Sequence, residues 1–252
     1  MKLLIRSVLL VFGMFLTVVA CTSEQVQQGV GVLMDATSQG AAGGPVGQNQ
    51  VAMGLKEALT KGAKAAGNQL SSSGGFFRNQ AIKILFPPEF IKAEKTLRGL
   101  GMGSLADQAI SSFNQAAEKA SAKAYPILAN SVRKMTFKDA MNILLGGEKN
   151  AATSFLKRTT TLELTKAFMP VVKQSADSVN ATKYWGQVAS AYNQVPFVKK
   201  VPADVTRYIT ERTLAGLFTV VEKEEANIRA NPLARTSNLL KSVFGYADQK
   251  GK

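Results

Sequence analysis

From Asn49 onward the apolar residues recur at helical spacing, and no segment alternates with the period of two that a half-buried strand needs. That pattern restricts the domain to an all-α fold, because a chain without strands can bury its apolar stripes only by packing helix on helix. The spacing predicts helices over about 50–70, 77–85, 89–100, 104–134, 136–145, 149–158, 161–180, 182–194, 203–229 and 233–245, so eight to ten helices in one domain spanning 49–248. Ser71 to Gly75 breaks the first, Pro87-Pro88 stops the second, and Gly101 with Gly103 ends the third. Pro126 is expected to kink or split the fourth, and Pro170 to bend the helix over 161–180. The segment Val195 to Pro202 holds two prolines and reads as extended.

Two of these helices have telling surfaces. In 104–134, Leu105, Ala109, Ile110, Phe113, Ala116, Ala117, Ala120, Ala124, Ile127, Leu128 and Met135 fall within a stripe of about 140°. Five of the eleven are Ala, and small residues let a partner helix come close. Glu118 lies well off the stripe and reads as solvent-facing. In 203–229, Val205, Tyr208, Ile209 and Arg212 share one side, while Leu214, Leu217, Phe218, Val221 and Ile228 lie nearly opposite. A helix apolar almost all round is expected at the centre of the fold. Thr136 is a candidate N-cap, with Asp139 three residues on as its capping-box partner.

The N-terminus carries a different kind of information. Lys2 and Arg6 precede an uncharged, mostly apolar run of 14 residues from Ser7 to Ala20. As a helix this run spans about 21 Å, short of the ~30 Å bilayer core and suited to the apolar region of a secretory signal. It ends in Val18-Val19-Ala20-Cys21, which resembles the bacterial lipobox. The resemblance implies cleavage after Ala20, a diacylglycerol thioether on Cys21 and usually a further acyl chain, such as palmitate, on the freed amine. Two or three chains anchor firmly where one binds reversibly. Thr22 follows where an Asp would favour inner-membrane retention, so the expected address is the periplasmic face of the outer membrane. Residues 21–48, rich in Gly, Gln, Ser and Ala, read as the lipidated Cys and a flexible tether.

Charge narrows the partners. The chain carries 31 Lys and Arg against 17 Asp and Glu, a net +14, and loss of Lys2 and Arg6 with residues 1–20 leaves +12. A basic body beside a membrane favours an anionic envelope component or an acidic protein partner. Nucleic acid, the usual partner of a basic protein, does not fit the expected address. The absence of His excludes His-based nucleophile systems and His-ligated metals, and a single Cys excludes a disulfide framework. No cofactor is expected.

Several blocks occur in a distinctive order: Gly54 to Leu59; Gly75 to Asn79 with Ile82 to Ile84; Asn114 to Glu118; Met135 to Ala140 with Ile143-Leu144 and Gly146-Gly147; Ala151 to Thr153; and Glu224 to Pro232 leading to Leu240 to Gly245. Together they resemble the bacterial family catalogued as domain of unknown function 4197, whose members are mostly exported proteins or lipoproteins. The resemblance covers about residues 50–245 and implies no activity, substrate or cofactor. Ser154-Phe155 departs from the acidic and Tyr-like pair expected after Ala-Ala-Thr.

Motifs with catalytic overtones are few. Ser131-x-x-Lys134 and Ser154-x-x-Lys157 match the Ser-x-x-Lys pattern of penicillin-interacting enzymes, and Ser178-x-Asn180 matches their second motif. Yet 17 Ser and 22 Lys in 252 positions give about 1.5 chance matches, and the Lys-Thr-Gly motif is absent. Gly99-x-Gly101-x-Gly103 has the wrong spacing for a dinucleotide loop and reads as a helix–helix turn. Glu222, Glu224 and Glu225 read as a solvated face, with Glu225 and Arg229 as an i,i+4 surface pair. Arg229 and Arg235 flank Asn231-Pro232 at a helix corner, where each could bind an anion or partner, or hold the corner by capping carbonyls. The aromatics Tyr184, Trp185, Tyr192 and Phe197 read first as core. The leading expectation is a non-enzymatic envelope lipoprotein that binds or organises a partner. The alternatives are a carboxylate-dependent hydrolase or lyase, and a helical carrier of an apolar ligand.

Overall fold

Leu55, Leu59, Ala63, Ala66 and Leu70 recur every three or four residues, and all five are buried along one side of α1 (Gln48–Ser71). The computed structural model describes residues 48–198, 200, 204–231, 237–238 and 241–245. The signal segment 1–20, Cys21, the tether, Arg235 and part of the last expected helix lie outside the described residues. After α1 come a 3-10 turn (Pro88–Phe90), α2 (Ile91–Gly99), α3 (Gly103–Ser121), α4 (Ala124–Lys134), α5 (Phe137–Leu145), α6 (Ala151–Ser178), α7 (Ala181–Asn193) and α8 (Thr206–Ala230). Residues 241–245 are helical too, and no strand occurs among the described residues.

The centre is shared by two helices, not held by one. α8 buries Ile209 and Thr213 as well as Leu217, Phe218 and Val221, packing on α1, α3 and α6. The Ala-rich α3 reaches further, touching α1, α2, α4, α6, α7 and α8. Its small side chains admit neighbours on more sides than the bulkier stripe of α8 can.

Three expected elements take other forms. The helix expected near 77–85 is absent. Residues 74–82 fold as linked turns. Ile82, Ile84 and Phe86 are buried along the stretch that leads to the prolines, while Leu85 faces out. Gly216 of α8 makes room for this segment, since a Cβ there would lie 2.7 Å from the Phe76 ring. The split that Pro126 led one to expect in 104–134 is present, at Ala122–Lys123, and it places Pro126 in the first turn of α4, where its missing N–H costs nothing. The helices expected over 149–158 and 161–180 are one, α6. The β-branched run Thr159-Thr160-Thr161 does not end it, because each hydroxyl donates to the carbonyl four residues back. Pro170 lies inside α6. The segment expected to be extended turns at Gln194–Phe197, with Phe197 at φ 62.

The capping box forms as expected. The Asp139 amide donates to Thr136 Oγ1 at 3.1 Å, and the Thr136 amide donates to Asp139 Oδ2 at 3.0 Å. Hydrogen bonds from Thr136, more than the nearby Arg158 charge, hold the Asp139 carboxyl below its ordinary value. A carboxylate held down in this way stabilises the fold above its unfolded pKa of about 3.9 and loses that contribution as pH falls through the folded value. Thr136→Ala is therefore expected to cost about 1 kcal/mol at pH 7. The gap from the parent, read from urea midpoints, should narrow as the pH falls below the unfolded value of about 3.9. An unchanged gap across that range would refute the link.

Candidate functional site

Three polar side chains, of which Glu118 and Glu225 read as solvent-facing in the sequence, are buried joints. Glu118, read above as solvent-facing, is 7% exposed, and its Oε1 accepts from the amides of Phe76 at 3.1 Å and Phe77 at 3.4 Å. One turn earlier on α3, Asn114 is wholly buried. Its Oδ1 accepts from the Ile84 amide at 2.9 Å, and its Nδ2 donates to the carbonyls of Ile84 at 2.9 Å and Ile110 at 2.7 Å. Asn114 thus serves both backbone groups of Ile84 much as a neighbouring strand would. Together the two residues supply hydrogen bonds that the turn segment would otherwise draw from a helix, which is why 77–85 need not coil.

The third joint overturns the reading of Glu225 as a solvated face. Glu225 is 6% exposed. It accepts from the Ala152 amide at 3.0 Å and from the Thr153 amide and hydroxyl, both at 2.8 Å. A carboxylate is thereby set on the first-turn amides of α6, where the free N–H groups and the helix dipole favour negative charge. Arg229 pairs with Glu225 Oε1 at 2.8 Å, and its Nη2 also donates to the Ile143 carbonyl near the end of α5 at 2.8 Å. Of its two sequence roles, Arg229 takes the capping one: α8 ties the end of α5 to the start of α6. Arg235 lies outside the described residues. Glu222 is exposed and accepts from Asn150 at 3.0 Å.

The remaining motifs separate cleanly. Gly99 to Gly103 is the turn between α2 and α3, with Gly101 at φ 80. Trp185 and Tyr192 are buried, and Trp185 meets Phe86 edge-on at 5.3 Å and Phe113 at 5.7 Å. Phe197 is fully exposed and stands apart from the buried aromatics. Ser178 accepts from Lys119 at 2.8 Å and donates to the Ser175 carbonyl, and Asn180 sits in a left-handed turn. Ser154 and Lys157 are both exposed.

Ser131 and Lys134 do meet a concave surface. A cleft of about 340 Å³ is lined by Asn130, Ser131 and Lys134 of α4, Asp139 of α5, and Phe155, Arg158, Thr159 and Glu163 of α6. The serine is not set up as a nucleophile. Ser131 and Thr159 share a 2.7 Å hydrogen bond in which either hydroxyl can donate. No hydrogen bond joins Ser131 to Lys134. A Ser–Lys pair must meet for proton transfer. Phe155 forms a buried wall of this cleft.

Among the described residues no helix is long and apolar enough to cross a membrane. A family model described as "Protein of unknown function (DUF4197)" matches residues 45–245. No curated protein and no solved structure matches the chain.

Proposed function

The chain belongs to the family described as Protein of unknown function (DUF4197), and from that premise we propose that it is an envelope lipoprotein whose helical body is a non-catalytic binding or structural module. The observation that carries the reading is Val18-Val19-Ala20-Cys21 at the end of a short apolar run. Acyl chains on Cys21 hold the body on the periplasmic face of the outer membrane, and residues 22–48 set its distance from the lipid. The mature charge of +12 draws the body toward anionic envelope components. The engagement of Glu118 and Glu225 with backbone amides supports a structural use of these carboxylates in place of acid–base work.

Labelling with radioactive palmitate, followed by membrane fractionation, tests the anchor. The parent chain is expected to take up label and to sediment with membranes. Cys21→Ser is expected to take up none and to appear in the soluble fraction. A Cys21→Ser chain found wholly in the membrane pellet overturns the proposal.

A further inference from the structure

The cleft between α4 and α6 has an unusual charge arrangement. Two cations, Lys134 and Arg158, and two carboxylates, Asp139 and Glu163, line a volume of about 340 Å³. Opposite charges so close usually neutralise one another directly, yet no ion pair joins Lys134, Arg158 or Glu163 to another side chain among the described residues. Asp139 feels the charge of Arg158 without closing onto it. Two of the four charges have a support of their own. Thr136 engages only Oδ2 of Asp139. The Arg158 guanidinium lies 5.7 Å from the ring centre of Phe155, a cation–π contact that keeps it against the wall. Ser131 adds a hydroxyl to the lining, and Asn130 adds an amide.

The lining is therefore electroneutral, with both signs present in one cleft. A ligand with a single charge gains from the groups of opposite sign and is opposed by the others, whereas a ligand that carries both charges satisfies both. At ~30 Å³ per water the volume holds about eleven waters, which suits a ligand of roughly eight to ten heavy atoms. We propose that this cleft binds small zwitterions, with an oxyanion on Lys134 and Arg158 and a primary ammonium on Asp139, Glu163 and Ser131. Two sources share that chemistry: a phosphate ester of an amino alcohol, as in a lipid headgroup, and a short peptide with free ends. This ligand class rests on the binding module proposed above and gives it an occupant. Binding is read on detergent-solubilised protein, so failure of anchoring and failure of binding are distinguished.

Calorimetric titration of the full chain with O-phosphoethanolamine and with glycylglycine, alongside inorganic phosphate and ethylamine, tests it. At least one zwitterion is expected to bind at about 1 mM or better, with both single-charge ions at least about tenfold weaker. Binding of phosphoethanolamine alone assigns the headgroup source, and binding of glycylglycine alone the peptide source. Arg158→Gln and Glu163→Gln change exposed side chains, and each is expected to weaken the bound zwitterion by about tenfold. Should either variant misfold, the selectivity of the parent chain decides alone. Failure of both zwitterions at about 10 mM, or phosphate binding as tightly as the zwitterion, overturns the proposal.

Discussion

Replacing Glu225 with alanine is expected to lower the unfolding free energy by about 3–5 kcal/mol, the range for removing one partner of a buried ion pair. The carboxylate has four donors: the amides of Ala152 and Thr153, the Thr153 hydroxyl and Arg229. Truncation strands all of them at once. The two amides lie at the start of α6 and have no carbonyl within their own helix to turn to. Arg229, with about a quarter of its side chain exposed, would keep its bond to the Ile143 carbonyl but lose its counter-charge. Arg229→Ala should cost less, about 1.5–3 kcal/mol, because Glu225 keeps its three bonds to α6. Urea unfolding of the two variants checks the order. A Glu225→Ala chain within about 1 kcal/mol of the parent would show that the α8–α6 joint does not hold the fold.

Asn114→Ala is expected to cost about 3 kcal/mol, the desolvation of two buried backbone groups at roughly 1–3 kcal/mol each, less partial relaxation. Ile84 would lose the partner of both its N–H and its C=O. Neither has a helical neighbour to replace it, since residues 82–86 run outside any helix. Asn114→Leu, which restores the volume without the amide, should be no better rescued, whereas a pure packing role would make it so. Unfolding in urea separates these outcomes, and hydrogen exchange at Ile84 locates the damage. Full protection of Ile84 in the alanine variant would contradict the strand-like role of Asn114.

Much of this architecture was legible where its cause is local. The Thr136–Asp139 box needs residues three apart, and the two were recognisable as such. The stripe of α3 follows from 3.6 residues per turn, and Ala109, Phe113, Ala116, Ala117 and Ala120 are all buried. Glu118 was misplaced for a physical reason. A wheel locates the apolar stripe but not the turn segment that packs beside it, and the partners of Glu118 lie 41 and 42 residues away. Glu225 sits on the apolar side of α8, four residues after Val221, and was hidden by a local pair with Arg229 that is real; its other partners lie 72 and 73 residues away. The single helix α6 was read as two pieces, 149–158 and 161–180, because nothing local joins them; the packing of Leu156, Leu164 and Phe168 in the core does.

Helical periodicity, helix-stopping glycines and prolines, the capping box and the lipobox-like Val18 to Cys21 were determined by residues near one another in the chain. Such features depend on backbone geometry within one or two turns, and the sequence specifies that directly. Tertiary structure alone decided which backbone groups Glu118, Asn114 and Glu225 would serve, and that Lys134, Asp139, Arg158 and Glu163 would share a cleft. A buried amide takes whichever oxygen the fold brings within about 3 Å, and that choice depends on the path of the whole chain.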